Sequence, residues 1–196
     1  MSDRGILVRD AQLMRAVVRG DRRAQLDLVK RLWPRVKRTA RHMSPSAQEA
    51  EDLAQEAMLQ IVRSARGFQA EGCLEAWADA ITVRTILKRL KRFRRVRSIF
   101  VSTEVEAEDP ESSAEADYLR RSRAECVSTL LHRLPPDQRM ALVLKLAHGH
   151  SVAEVSEIMG RIIPSVRYLL REGRGKMGKL ATRDKRVREL FYEGGS

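Results

Sequence analysis

Hydrophobic positions recur at helical spacing along most of the chain, and no convincing run alternates apolar and polar residues as a strand would. A first helix is predicted to have Asp10 as its N-cap and to stop at Gly20. A second helix is predicted to be capped by Asp21 and to kink or restart at Pro34. The pattern therefore predicts an all-α fold.

A third helix is predicted from a capping-box signature, Ser46 followed by Glu49, and is expected to end at Gly67. Its apolar stripe runs from Ala50 to Ala65 and should face the core. The polar side chains left outside that stripe are Glu51, Asp52, Gln55 and Glu56. Taken alone, this acidic face also fits an ordinary solvated surface.

A fourth helix is predicted from near Leu74, with Trp77 facing inward and a strongly basic outer face. Residues 84–97 hold eight Lys or Arg and no acid, whereas residues 98–117 hold seven acids and no base. Because residues 98–117 also lack apolar periodicity, they predict a flexible acidic linker between two small helical domains, residues 1–97 and 118–196. The basic side chains of the outer face are Arg84, Lys88, Lys91, Arg92 and Arg95.

The second domain contains a predicted helix-turn-helix. Ser151 and Glu154 form a capping box, Gly160 provides a left-handed stop, and a further helix starts at Pro164. The side chains expected on the exposed face of that helix, within reach of base edges or phosphates, are Ser165, Arg167, Tyr168, Arg171 and Arg174. The same pattern also fits a helical hairpin with a solvated basic face.

The formal net charge of +12 and the pI of ≈ 10.5 favour a polyanionic partner, either nucleic acid or an acidic membrane surface. Membrane insertion is not expected, because no apolar run approaches the ~20 residues that a spanning helix needs. Residues 1–9 carry too short an apolar run for a secretory signal, so a cytoplasmic location is expected.

The sequence shows no cluster of cysteines, histidines or catalytic motifs that would indicate a disulfide, a metal site or an active site. Cys73 and Cys126 form no CxxC pair and are expected to be reduced thiols. His148 and His150 would diverge on a helix, so no metal site is expected. Neither a Gly-rich phosphate loop nor a nucleophile motif is present, and therefore neither a cofactor nor an enzymatic activity is expected.

Five stretches of the chain resemble, in their order and spacing, the extracytoplasmic-function (ECF) sigma factors of bacterial RNA polymerase. They are RGDRRAQLDLVKRLWPRVKRTARHM at 19–43, EAEDLAQEAMLQIVR at 49–63, EAWADAI at 75–81, LPPDQRMALVLKLAHGHSVAEVSEIMG at 134–160 and SVRYLLREGRGKM at 165–177. The resemblance implies a transcription initiation factor that performs no covalent chemistry. It also implies that the motif EDLAQE docks on the clamp coiled coil of the polymerase largest subunit, through Glu51, Asp52, Leu53, Gln55 and Glu56.

The resemblance further implies that the two domains share the recognition of promoter DNA. The second domain would read the upstream element with Ser165, Arg167, Tyr168, Arg171 and Arg174. Other implied partners are the polymerase flap and an anti-sigma factor that sequesters both domains. The first domain would bind the downstream element and open the duplex through Phe68, Cys73, Trp77, Arg84, Lys88, Lys91, Arg92 and Arg95.

Two other classes of protein stay open at this point. One is a stand-alone helix-turn-helix regulator that lacks polymerase recruitment, and the other is an RNA-binding or enzymatic helical protein. The chain also departs from the family pattern, because Arg84 and Lys88 stand where Asn and Asp are frequent and the loop 68–77 is about one residue short. The sequence therefore predicts no base preference in the downstream element. It predicts none in the upstream element either, because the recognition turn departs from the family pattern at Arg161, Ile162, Ile163 and Pro164.

Overall fold

The computed structural model describes residues 3–44, 46–97 and 126–184, and every regular element within these ranges is helical. The predicted all-α fold is confirmed, while the predicted linker, residues 98–117, lies outside the described residues. The elements are α1 Asp3–Val18, α2 Arg22–Met43, α3 Ala47–Arg63, a 3-10 turn Ala65–Gly67, α4 Leu74–Arg97, α5 at 126–132, α6 Pro136–Leu142, a π-helical turn Val143–Ala147, α7 Val152–Met159 and α8 Ile163–Arg183.

Helices α2 and α3 start at the predicted caps. Asp21 accepts hydrogen bonds from the backbone of Arg23 and Ala24, and the Ser46 hydroxyl accepts one from Glu49 N at 3.1 Å. The expected restart at Pro34 is not seen, because α2 continues through it.

The prediction that Asp10 caps the first helix was wrong. Asp10 lies inside α1, almost fully buried, and accepts from the Arg31 guanidinium of α2 at 2.5 and 3.3 Å. The charged partner outweighs the cap in free energy, because leaving one member of a buried ion pair unpaired costs about 3–5 kcal/mol, whereas an N-cap contributes about 1 kcal/mol. Asp10 therefore joins α1 to α2.

Helices α1–α4 form the first half of the structure and enclose an apolar core. The predicted inward stripe of α3 is confirmed, since Ala50, Leu53 and Ile61 are all buried. The largest side chains removed from water in this half are Leu28, Leu32, Met43, Ile61, Leu74 and Ile86.

Helices α5–α8 form the second half. The predicted capping box is present, with Ser151 N donating to Glu154 Oε2 at 2.7 Å and Glu154 N donating to Ser151 Oγ at 3.2 Å. Gly160 ends α7 in the left-handed conformation, with φ 60° and ψ 41°. Gly173 lets α8 approach α6 closely, because a Cβ there would lie 3.0 Å from Leu142 Cδ1.

The two halves pack against each other, and most of their buried apolar residues form one continuous cluster, while Cys126 and Leu130 form a second, smaller one. Helix α7 lies on α4, and α6 contacts both α2 and α4. Arg139 of α6 is buried and donates to Met43 O at the end of α2, at 3.1 Å, and to His132 O at 2.6 Å. The end of α2 is therefore tied to the second half through main-chain oxygens.

Candidate nucleic-acid interface

The acidic face of α3 combines a buried anchor with exposed charge. Leu53 is only 3% exposed and packs in the core, so it holds the helix in place and offers no outward contact. Asp52 is 54% exposed, and Gln55 is exposed beside it. Glu51 pairs with Lys37 of α2 at 3.0 Å, and Glu56 pairs with Arg89 of α4 at 2.6 Å.

A groove of about 810 Å³ separates α3 from α4 and carries much of the predicted basic surface. Arg84, Lys88, Lys91 and Arg92 are all exposed, whereas the side chain of Arg95 lies outside the described residues. Arg84 is steadied by a hydrogen bond from its Nε to Ala80 O at 3.1 Å. The residues that line the groove are Glu56, Gln60, Ser64, Ile81, Arg84, Thr85, Lys88, Arg89 and Arg92.

The loop before α4 forms a second concave site. Phe68 and Trp77 pack edge to face, with ring centroids 5.3 Å apart and planes at 69°. Cys73 is exposed, and its thiol donates to Glu75 Oε2 at 3.1 Å. The structure thus brings Phe68, Cys73 and Trp77 together at a loop pocket of about 430 Å³, lined by residues 67–73, Ala76, Trp77, Ala80 and, from α7, Glu157 and Ile158.

A buried ionic cluster joins the two halves next to this loop pocket. Asp79 of α4 is 2% exposed and accepts from Arg35 of α2, with Nε to Oδ2 at 2.8 Å and Nη2 to Oδ2 at 2.6 Å. His150 Nε2 lies 2.6 Å from the same Oδ2. It also lies 2.8 Å from Arg35 Nη2, which is itself a donor, so we assign the hydrogen of the imidazole to Nε2, which donates a hydrogen bond to the carboxylate. Burial by itself would raise the pKa of Asp79, but hydrogen bonds from His150 and Arg35 outweigh it and hold that pKa below its ordinary value.

His148 makes a second polar contact between the halves. Its Nε2 lies 2.7 Å from Thr39 Oγ1 of α2, and burial lowers its pKa from 6.5 to about 4. The expectation that His148 and His150 diverge on a helix was wrong, because His150 follows the π-helical turn and both rings turn toward the first half, 6.3 Å apart.

This cluster was missed from the sequence, although one signal for it was present. Asp79 stands at an inward position of α4, between buried Ala78 and buried Ile81. A carboxylate in an apolar stripe predicts a buried cationic partner. Periodicity does not say which cation, and the histidine partner is 71 residues away.

Helix α8 presents the predicted upstream-reading side chains on its open side. Arg167, Tyr168, Arg171 and Arg174 are exposed and Ser165 is half-buried, whereas the opposite side of the helix, Val166, Leu169, Leu170 and Gly173, is buried. The turn before α8 is held by Arg161, which pairs with Asp137 of α6 at 2.6 Å. Helix α8 begins at Ile163, one residue before the predicted start. The geometry is that of a supported second helix of a helix-turn-helix.

Comparison with known proteins decides the family. A family model for Sigma-70 region 2 matches residues 28–96, and one for Sigma-70, region 4 matches residues 124–177. The ECF RNA polymerase sigma factor SigM of Mycobacterium tuberculosis is 29% identical over 171 residues, which cover 87% of this chain and 84% of SigM. The RNA polymerase sigma-H factor of Pseudomonas aeruginosa is 30% identical over 170 residues, which cover 81% of this chain and 86% of that protein. The chain belongs to the ECF sigma factors of bacterial RNA polymerase.

This ECF sigma factor also resembles a solved structure. The sigma factor RpoE of Bartonella quintana, in a co-crystal structure with the anti-sigma factor NepR, superposes with a TM-score of 0.64 at 21% identity, covering 81% of this chain and 97% of that chain. At this identity the likeness concerns the fold alone. Within residues 3–44, 46–97 and 126–184, no helix is both long enough and apolar enough to cross a membrane.

Proposed function

We propose that this ECF sigma factor binds core RNA polymerase through the acidic face of α3, directs it to promoters and helps to open the duplex. The observation that carries the proposal is the anchoring of the acidic motif, with Leu53 buried while Asp52 and Gln55 stay exposed. A face held rigidly in this way loses little conformational freedom when a partner binds. The chain supplies positioning and strand-separation energy and catalyses no reaction; its place of action is the cytoplasm, with the polymerase.

The ion pairs that flank this acidic face leave it available to a basic partner. The pairs Lys37–Glu51 and Arg89–Glu56 are partly exposed on both sides. Exposed pairs of this kind contribute about 0–1 kcal/mol each. A basic surface on the clamp coiled coil can therefore replace Lys37 and Arg89 as partners at small cost.

Charge reversal tests the docking face. The double variant Glu51→Lys/Asp52→Lys is expected to lose binding to purified sigma-free core polymerase while it keeps binding duplex DNA. Asp27→Lys is a suitable control for charge reversal, because Asp27 is also an exposed acid of the first half, on α2. Core binding that survives in the double variant would contradict the assignment of docking to this face, whereas a wild-type chain that binds DNA but not core polymerase would favour a stand-alone DNA-binding regulator.

The downstream element is assigned in this proposal to the loop pocket and the basic groove. The pocket is lined by an aromatic pair, Phe68 and Trp77, and aromatic rings stack on bases that leave the duplex. The exposed Arg84, Lys88 and Arg92 along α4 supply positive charge for the phosphates of the opened strand. The upstream element is assigned to the exposed face of α8.

The packing of the two halves suggests a resting form with restricted access to the loop pocket. Glu157 of α7 lines that pocket, and a carboxylate there opposes the approach of a phosphate chain. Since the Bartonella sigma factor was solved with an anti-sigma factor, we expect this chain also to have an anti-sigma partner, which would hold the halves together.

Fluorescence anisotropy tests the restricted access. Glu157→Gln is expected to raise the affinity of the free chain for single-stranded oligonucleotides about two- to fivefold, because the variant removes one exposed charge and no buried contact. Asp27→Asn, which removes an exposed charge on α2, is the control. Equal gains in the two variants would show that net charge alone is responsible.

A further inference from the structure

The exposed face of α8 carries one large aromatic side chain that the core does not explain. Tyr168 is 52% exposed, while its neighbours Leu169 and Leu170 are buried on the other side of the helix. The guanidinium carbon of Arg171, three residues further along, lies 5.6 Å from the centroid of the Tyr168 ring. This distance is within the range of a cation–π contact, and residues three apart are neighbours on a helix surface.

We propose that Tyr168 is a positioning residue for Arg171, and that the pair reads one guanine of the upstream promoter element. This inference rests on the proposed function of α8 as the upstream-reading helix. A guanidinium held against an aromatic ring samples fewer side-chain positions, so its planar edge of N–H groups is better fixed in direction. That edge is the part that donates two hydrogen bonds to O6 and N7 of guanine in the major groove.

The other neighbour of Arg171, Glu172, does not hold the guanidinium firmly enough to prevent this role. Arg171 Nε lies 3.6 Å from Glu172 Oε1, too far for a hydrogen bond, and the Arg171 side chain is 75% exposed. The pairing with Glu172 is therefore weak and gives way when DNA arrives. Tyr168 restricts the side chain before binding, so less side-chain freedom is lost when the base contact forms.

The contact with Tyr168 distinguishes Arg171 from an arginine that would only contact phosphate. Arg174 is exposed one turn further from the start of α8 and has no aromatic side chain against it among the described residues. A positive charge that contacts only phosphate carries no sequence information. Arg171→Lys is therefore the informative change, because it keeps the charge and removes the planar fork.

The test is a selection from a duplex library randomised over the upstream element, with the full chain assembled on core polymerase. The wild-type chain is expected to select a guanine at one position. Arg171→Lys should reduce that preference about tenfold or more, the size of one bidentate base contact. Tyr168→Ala should reduce the preference at the same position about two- to fivefold, the size of an exposed cation–π contact, and Tyr168→Phe should keep it.

Coupling between the two residues completes the test. In the Arg171→Lys background, Tyr168→Ala should change the preference at that position no further. Replacing the guanine there by 7-deazaguanine should weaken DNA binding by the wild-type chain more than it weakens DNA binding by the Arg171→Lys variant. A Tyr168→Ala effect at a different position, or none, would overturn the positioning role. Selection of no sequence by the wild-type holoenzyme would instead overturn the proposed function, so the two failures are distinguishable.

Discussion

Removal of the Asp79 carboxylate should loosen the contact between the two halves of the structure. The Asp79→Ala variant leaves Arg35 and His150 without the acceptor that both share. Breaking a buried ion pair by removing one partner costs about 3–5 kcal/mol. Because 23% of the Arg35 side chain remains exposed, water recovers part of that loss, and we expect a decrease of about 2–4 kcal/mol in the free energy of unfolding. This is a large fraction of the ~5–15 kcal/mol that stabilises a typical domain.

Urea denaturation followed by circular dichroism measures the effect, with Glu75→Gln as the matched control. Glu75 lies on the same helix and pairs with Arg31, but the side chains of Glu75 and Arg31 are both about one-third exposed. Its neutralisation should therefore cost less than about 1 kcal/mol. Asp79→Asn should fall between the two variants, because an amide keeps the shape and one acceptor.

A double-mutant cycle assigns the cost to the cluster. His150→Ala should destabilise the Asp79→Ala chain less than it destabilises the wild-type chain, because its partner is already absent. The reasoning fails if Asp79→Ala is no more destabilising than Glu75→Gln, or if the effects of Asp79→Ala and His150→Ala simply add.

Three further predictions follow from the charges and caps. Burial lowers the pKa values of His132 and His148 to about 4, so the unfolded chain binds protons that the folded chain does not. These two histidines should leave the free energy of unfolding unchanged above pH ~6.5 and should lower it as the pH falls from ~6.5 to ~4. The decrease should be at most about 3 kcal/mol per histidine, and smaller because part of each ring is exposed to water. His148→Gln should flatten that pH profile. Lys91→Ala or Arg92→Ala should weaken all promoters alike and reduce the salt dependence of DNA binding by about one unit of slope each, whereas unequal effects on different promoters would contradict phosphate contacts. Ser151→Ala should cost about 1 kcal/mol in thermal or urea unfolding through loss of the α7 cap, and Ser151→Asp, which keeps a capping oxygen, should restore most of it.

Local signals predicted the elements, and long-range partners explain the failures. Asp21, Ser151 and Gly160 act within a few residues of themselves, so their roles as caps and stop were readable from the sequence. Asp10 carries the same capping potential, yet its side chain is bonded to Arg31, 21 residues away.

The candidate surfaces show the same division between local and long-range information. The exposed face of α8 follows from helical periodicity alone, and the structure places Arg167 and Tyr168 on it as predicted. The cluster of Asp79 with His150 depends on the packing of α7 on α4, which no periodicity describes. The roles of these surfaces in binding remain predictions.

Transcription with purified components tests the central claim most directly. The wild-type chain, added to sigma-free core polymerase and a genomic library of double-stranded templates, should yield transcripts that start at a small set of shared promoter sequences. The Glu51→Lys/Asp52→Lys variant should yield none of them, and Asp27→Lys should yield them all. Wild-type chain that binds DNA but yields no specific start sites, or equal transcription with the docking-face variant, would contradict the account.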